Sequence, residues 1–465
     1  MYTDPAPSFL TDVSTDGKWA LLIRSVSLSD TKVVLVDLTA GTGKTIYPEE
    51  GTSALVHHTI FSTDGSLIYV STDGGAEQAL VLALDAKTLA EKARYVEKKP
   101  ATAMIDDMVV GRKGGDKLAV VVDAGNRCEL RLLDAKTLKA GPTISMPLGT
   151  GGAITMTDDG RQLAVAWQTA QSPVDAYAID TSTGKVKPLR NDPRPALAKL
   201  PKLEASIKEV TSFDGTKIPV NLYLPAAIPK GTKLPAIVMV HGGPTSSSHI
   251  GWSGGDRFYS SHGFAIIAPN IRGSTGFGRK YELADDGDKR LDAVRDIEEI
   301  GKWAQKQPWV DPERLVLSGG SYGGYMTLMG LTRQPTLWKA GVDSCGIYSW
   351  KTFMKSTSGV IHEVFQKEIG ADSDPAFLDS ISPESQIDKL IAPLFVYAGQ
   401  NDPRVPRSES DAIVKNLRAR KIPVEYMVAA DEGHSLDRKE NITAFLARTL
   451  RFLESKLKIE KATAK

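Results

Sequence analysis

A serine sits between paired glycines at Gly319-Gly320-Ser321-Tyr322-Gly323-Gly324, directly after the apolar run Leu315 to Leu317 and before a helix-like stretch, Tyr325 to Leu331. In that setting the G-x-S-x-G pattern has a physical purpose. A strand-to-helix turn strains the serine and exposes its Oγ, and glycines two residues either side let neighbouring backbones approach without Cβ clashes. The hydroxyl also meets the positive end of the following helix dipole. Such a serine is suited to attack a carbonyl, provided a base takes its proton and an acid orients the base. The bare pattern arises by chance in glycine-rich chains, and its force comes from the strand before it and the helix after it.

Two later loops supply those partners. The run Leu394 to Tyr397 leads into Gly399-Gln400-Asn401-Asp402, and Val424 to Val428 leads into Asp431-Glu432-Gly433-His434. Serine, acid and histidine in that chain order, each on a loop after a strand, follow the α/β-hydrolase arrangement. Ser321 is therefore expected as nucleophile, His434 as base and Asp402 as orienting acid. Asp343, after the run Ala340 to Val342, is the rival acid. Asp431 and Glu432 lie too close to His434 in sequence to serve its ring and read as loop or cap residues. His57 and His58 fall in the N-terminal repeats, and His249, His262 and His362 lack a motif. The two cysteines, Cys128 and Cys345, are far apart in sequence and read as free thiols, without a disulfide or a thiolate metal site. No metal or cofactor is expected. Negative charge developing on the attacked carbonyl needs placed donors. These are expected from the Tyr322 N–H and from the loop His241-Gly242-Gly243-Pro244, with Gly243 favoured.

The elements that must carry these loops are legible in two grammars. Up to about residue 190 a turn signature recurs as Asp16-Gly17-Lys18, Asp64-Gly65-Ser66, Gly115-Asp116-Lys117 and Asp159-Gly160-Arg161, each followed by a short apolar strand. A second strand ends at Asp37, Asp85, Asp134 and Asp180, spaced 48, 49 and 46 residues apart. One four-stranded antiparallel sheet per period is the unit of a β-propeller, and four repeats are visible; a β-sandwich, the rival, does not require a sustained period. The proline-bearing stretch Arg190 to Leu203 reads as a linker. Beyond it, apolar strands alternate with helices, including one carrying Leu291, Val294, Ile297 and Trp303. The expected architecture is a partial propeller of about four blades over residues 1–195, then a doubly wound α/β-hydrolase domain over 196–465. Its site belongs at the carboxyl ends of the strands.

Composition excludes other classes. Among 465 residues, 57 Lys and Arg face 56 Asp and Glu for a net charge of +1, which offers no field for nucleic acid or an anionic membrane. With 41% hydrophobic and 24% charged residues the chain is an ordinary folded one. Met1 to Lys18 lacks a basic start with an apolar block, and no apolar run nears the length that spans a bilayer. As written the chain is expected in the cytoplasm, or in the periplasm or medium if its start is truncated.

Together, His241-Gly-Gly-Pro244, Asn270-Ile-Arg-Gly-Ser-Thr-Gly-Phe-Gly-Arg279, Gly319-Gly-Ser-Tyr-Gly-Gly324, Asn401-Asp-Pro-Arg-Val-Pro406 and Asp431-Glu-Gly-His434 resemble the prolyl oligopeptidase family of serine peptidases. The likeness is closest to its acylaminoacyl-peptidase-like bacterial branch and runs from about Leu203 to Leu457. It implies that Arg404 holds a substrate carbonyl, and that Val405 and Tyr322 wall the apolar pocket for the residue before the cleaved bond. Some branches place a tyrosine hydroxyl in the oxyanion hole where this chain has His241, which strengthens the case for Gly243. The loop Arg272 to Gly278 reads as structural rather than catalytic. Two departures stand out: the family propeller has seven or eight blades, and no glutamate pair is assignable as the amine clamp of dipeptidyl peptidases. The expected activity is hydrolysis of short or N-acylated peptides through an acyl-enzyme. The alternatives are an esterase or deacylase of the same fold, or a non-catalytic protein binding through the propeller. Open blade edges favour self-association into a homo-oligomer.

Overall fold

Alternation of side chains across each strand explains how the N-terminal strands stack. In the strand Lys117–Asp123, Leu118, Val120 and Val122 join one core with Ile60, Tyr69, Val81 and Ile105. The residues between them, Ala119 and Val121, join another with Leu163, Val165, Trp167 and Ile179. One strand thus serves two cores, one per face, as the two-residue period of a strand requires. A third core, including Leu21, Ile23, Val33, Ile68, Val70 and Leu82, joins the first two sheets.

The computed structural model describes residues 2–459 apart from 5, 28, 191, 227, 230, 360, 361, 363, 364 and 371–373. Its described residues form four antiparallel meanders before residue 190, three with four strands and the third with three. In that third sheet the fourth strand is reduced to a single bridge, Leu133 to Ala140. The aspartates of the repeat close turns. Asp37 Oδ1 accepts the Thr39 and Ala40 N–H groups, both at 2.8 Å, and Asp85, Asp134 and Asp180 do the same two and three residues on. The period is therefore a turn-capping signal.

Of the linker stretch Arg190 to Leu203, Asn191 lies outside the described residues. The rest holds one helical turn, Pro195–Ala198, and its last residue opens the strand Leu203–Thr211.

Two compact units divide the chain. The first comprises Met1–Lys199, His249–Trp252 and Ser274–Leu283; the second comprises Leu200–Ser248, Ser253–Gly273 and Ala284–Lys465. The second holds an eight-stranded sheet, in spatial order Leu203–Thr211, Lys217–Pro225, Ala265–Pro269, Leu234–Val240, Val310–Gly320, Ala340–Ser344, Leu394–Gly399 and Val424–Ala429. The first two strands pair antiparallel and the remaining six are parallel. Every residue of Ala265–Pro269 and Leu394–Gly399 is buried, as helix-covered parallel strands demand.

The helix Arg290–Gln305 buries Ala293, Val294, Ile297, Ile300 and Ala304, with Leu291 and Trp303 only half-buried. Its buried face also includes Arg290 and Asp296. Arg272 clasps Asp296 at 2.8 and 2.9 Å and Asp214 at 3.0 and 3.2 Å, which gives the 272–278 loop a structural anchor. The last four strands are consecutive neighbours, so the loops after Gly320, Ser344, Gly399 and Ala429 emerge side by side at their carboxyl ends. No helix among the described residues is long and apolar enough to cross a membrane.

Candidate active site

Ser321 caps the helix Tyr322–Arg333 with φ 58° and ψ −122°, a strained conformation for a residue with a side chain. Its N–H donates to the Ser344 carbonyl at 2.8 Å, and its own carbonyl accepts the first helical bond, from Tyr325 N at 3.0 Å. The turn is tight enough that a Cβ on Gly323 would overlap the Val240 and His241 carbonyl oxygens. Close approach of backbones is thus the reason for that glycine. The helix begins three residues earlier than the helix-like stretch suggested, at Tyr322, because the glycines lie within its first turn.

Asp402 and His434 are brought together. His434 Nδ1 lies 2.7 Å from Asp402 Oδ2, with the two side chains 15% and 1% exposed. Asp402 Oδ1 accepts the N–H groups of Arg404 at 2.8 Å and Val405 at 3.0 Å. Burial opposes ionisation of Asp402, yet the bonds from His434, Arg404 and Val405 prevail and hold its carboxyl below the ordinary range. The two loops are laced by their backbones. Gln400 N donates to the Ala429 carbonyl at 2.9 Å and Asn401 N to the Glu432 carbonyl at 3.0 Å. A Cβ on Gly399 would overlap the Gly433 carbonyl, so the acid loop must begin with glycine. Glu432 accepts the Arg438 N–H at 2.8 Å ahead of the helix Lys439–Lys456, and Asp431 accepts Asn441 Nδ2 at 2.9 Å; both hold the loop rather than the ring. Among the described residues no hydrogen bond joins Ser321 Oγ to His434 Nε2. Catalytic hydrogen bonds are often long before substrate binds.

The Tyr322 N–H belongs to the first helical turn, whose donors have no partner within the helix. The loop after Val240 runs beside Ser321: a Cβ on Gly242 would lie 3.5 Å from Ser321 Cβ. Gly243 has φ 138°, which favours glycine, and its nearest neighbours are Thr245 and Ser246. Arg404 is exposed and makes no ion pair among the described residues, while Val405 is buried. Beyond the roles the resemblance implied, both residues hold Asp402 through their backbones.

The Tyr322 side chain is 1% exposed, and its hydroxyl lies 3.1 Å from Asp285 Oδ2 and 2.6 Å from Arg290 Nη1. Arg290 and Asp285, both fully buried, pair directly, and Glu368 Oε1 stands 3.8 Å from Arg290 Nη2. Burial pushes the Tyr322 phenol well above its ordinary range. The ring of the residue after Ser321 is therefore tethered to a buried charge cluster. No sequence signal pointed to it, because Asp285 and Arg290 sit in no motif and meet the Tyr322 hydroxyl only in the folded chain.

Asp343 has no hydrogen bond to His434. It lies fully buried beneath the elbow, packed against the backbones of Gly324 and Gly346, with neither oxygen in a full hydrogen bond. Burial pushes its carboxyl up to about 7, only partly opposed by the Gly346 N–H. In the unfolded chain it would titrate near 3.9. Between those values the unfolded state binds fewer protons than the folded one, so stability falls as pH rises from about 4 to about 7. Asp343→Asn should flatten that fall and raise the melting temperature at pH 8. Melting curves of the two proteins that stay parallel from pH 5 to 8 would exclude this.

Of the other histidines, His249 Nε2 lies 2.8 Å from Asp123 Oδ1 within the first unit. His262 Nδ1 meets the Phe258 carbonyl at 2.7 Å.

Residues 254–460 match the prolyl oligopeptidase family. Among proteins of similar sequence, dipeptidyl aminopeptidase BIII of Pseudoxanthomonas mexicana is 31% identical over 412 residues, covering 84% of this chain and 58% of that protein. The acylamino-acid-releasing enzyme of Sus scrofa is 26% identical over 72% of this chain and 43% of its own length. The chain thus spans about half the length of these relatives. A crystal structure of puromycin hydrolase aligns with a TM-score of 0.85 at 22% identity, covering 98% of this chain and 71% of the other. The Pyrococcus horikoshii acylaminoacyl peptidase aligns at 0.78 and 22%, covering 99% and 72%. That structural likeness is one of fold: propeller sheets followed by an α/β-hydrolase domain, the class expected from the repeats and the ordered loops.

Proposed function

We propose that the protein is a serine peptidase acting on short or N-acylated peptides. The observation that carries the reading is the 2.7 Å bond between His434 Nδ1 and Asp402, on loops neighbouring the strained Ser321 turn. Ser321 Oγ attacks the substrate carbonyl as His434 Nε2 takes its proton, and Asp402 fixes the tautomer that leaves Nε2 free to accept. The N–H groups of Tyr322 and Gly243 receive the oxyanion. The imidazolium then protonates the leaving amine, and water releases the acyl group by the same steps in reverse. The match of residues 254–460 to the prolyl oligopeptidase family supports this chemistry, and the names of the relatives point to peptide amines or acylated amino acids at the cleaved end.

Matched p-nitroanilides of one dipeptide, N-acetylated or with a free amine, test the substrate class, with the p-nitrophenyl ester as a third arm. Without an assignable carboxylate pair for the amine, the acetylated amide should be favoured in kcat/KM by roughly tenfold, the size of effect left by an unpaired charged group. Preference for the free amine would move the protein to dipeptide release. Turnover of the ester alone would make it an esterase.

A further inference from the structure

The strand Ala340–Ser344 lies between the strands that carry the nucleophile and the acid. The loop it feeds therefore emerges between Ser321 and Asp402, and that loop opens on Cys345. Cys345 has φ 52°, a left-handed conformation uncommon for a residue with a side chain, and its N–H donates to the Tyr397 carbonyl at 2.9 Å. The side chain is buried, with the residue 4% exposed. Its sulfur, a carboxylate oxygen of Asp402 and a ring nitrogen of His434 all lie within 4.8 Å of one another. Sequence alone suggested an inert thiol without metal-binding partners. Strand order gives it two.

We propose that Cys345, Asp402 and His434 form an inhibitory site for a thiophilic divalent cation such as Zn²⁺, an inference that rests on Asp402 and His434 being catalytic. A thiolate, an imidazole nitrogen and a carboxylate are the donors Zn²⁺ takes, at about 2.3, 2.0 and 2.1 Å. Tetrahedral placement at those lengths separates the donors by roughly 3.3 to 3.6 Å. The observed arrangement needs the 2.7 Å bond between Asp402 and His434 to open by about half an ångström, and the sulfur, within 4.8 Å of both donors, to close any remaining gap by a side-chain adjustment.

Charge also favours the ion. Binding forms a Zn–S bond and releases the thiol proton to solvent, so the thiolate and the carboxylate together balance the cation in a buried place. A water can complete the shell from the side where His434 is 15% exposed. Coordination takes the Nδ1 lone pair, and the ring proton moves through solvent to Nε2. That nitrogen can then no longer accept the proton of Ser321, and turnover stops without any contact to the nucleophile.

The test pairs Zn²⁺ inhibition of ester hydrolysis with Zn²⁺ binding by equilibrium dialysis. The wild type should lose activity reversibly, with recovery on adding EDTA. Cys345→Ala and Cys345→Ser, each compared with its own uninhibited rate, should need at least about tenfold more Zn²⁺ for half-inhibition and bind one equivalent fewer. Cys128→Ala, whose thiol lies with Asp123 and His249 in the first unit, should be inhibited by Zn²⁺ as the wild type is, whether or not it binds one equivalent fewer at that separate cluster. Equal sensitivity of the wild type and both Cys345 variants, or full wild-type activity in millimolar Zn²⁺, would overturn the proposal. If Ser321→Ala keeps ordinary turnover, the catalytic reading fails and dialysis alone decides the site. Zn²⁺ held by Ser321→Ala and lost on adding Cys345→Ala upholds it, and equal binding overturns it.

Discussion

Replacing Ser321 with alanine should lower kcat by a factor on the order of 10³ to 10⁶ and leave KM within a few-fold of its wild-type value. The size follows from the unit character of the site. Without Oγ there is no covalent intermediate, and His434 has only water to activate, while the oxyanion donors and the substrate contacts remain. Those survivors account for residual catalysis over the uncatalysed reaction. The folded state should change little, because the Ser321 contacts that hold the turn are made by its backbone: N–H to Ser344 and carbonyl to Tyr325. Steady-state kinetics on the acetylated p-nitroanilide, with melting temperature as a control, measure both. Loss of activity accompanied by unfolding would not count in favour, and ordinary turnover would exclude Ser321 as nucleophile.

Asp402→Asn is expected to cost about 10⁴ in kcat. An asparagine keeps an oxygen for the Arg404 and Val405 N–H groups, so the loop retains its shape. Toward His434, however, its amide can present N–H where Asp402 Oδ2 now accepts at 2.7 Å. Nδ1 then becomes the acceptor and Nε2 carries the proton, the wrong tautomer to receive one from Ser321. The bond also stops stabilising the imidazolium formed during attack. A loss of less than tenfold would show that another group orients the ring. Asp343 is poorly placed for that, being buried beneath the elbow without a bond to His434.

The chemistry was legible in sequence because its residues sit at punctuation: a serine between glycines, an aspartate and a histidine on glycine-containing loops, each after an apolar run. Parallel strands buried on both faces announce themselves as such runs, and the propeller repeats announce themselves through aspartates that cap turns. What was hidden depends on spatial order. Cys345 neighbours Asp402 only because its strand is interposed between two others, which no local pattern encodes. Arg290 with Asp285 and Arg272 with Asp296 are buried charge pairs, against the rule that charge marks a surface. The antiparallel strands Leu203–Thr211 and Lys217–Pro225 escaped notice because the first, at the sheet edge, mixes buried positions with exposed Glu204, Lys208 and Glu209. The resemblance placed the Tyr322 side chain at a pocket wall, but its tether to Asp285 and Arg290 emerged only from the structure.

The proposed function requires Ser321 to be the residue that becomes acylated. Peptide mapping after treatment with a fluorophosphonate measures this directly, since such reagents trap a serine only where a base and an oxyanion site activate it. A single stoichiometric adduct is expected on the peptide containing Ser321, absent in Ser321→Ala and formed far more slowly in Asp402→Asn. An adduct on another residue, or none in a protein that still hydrolyses the substrate, would contradict it.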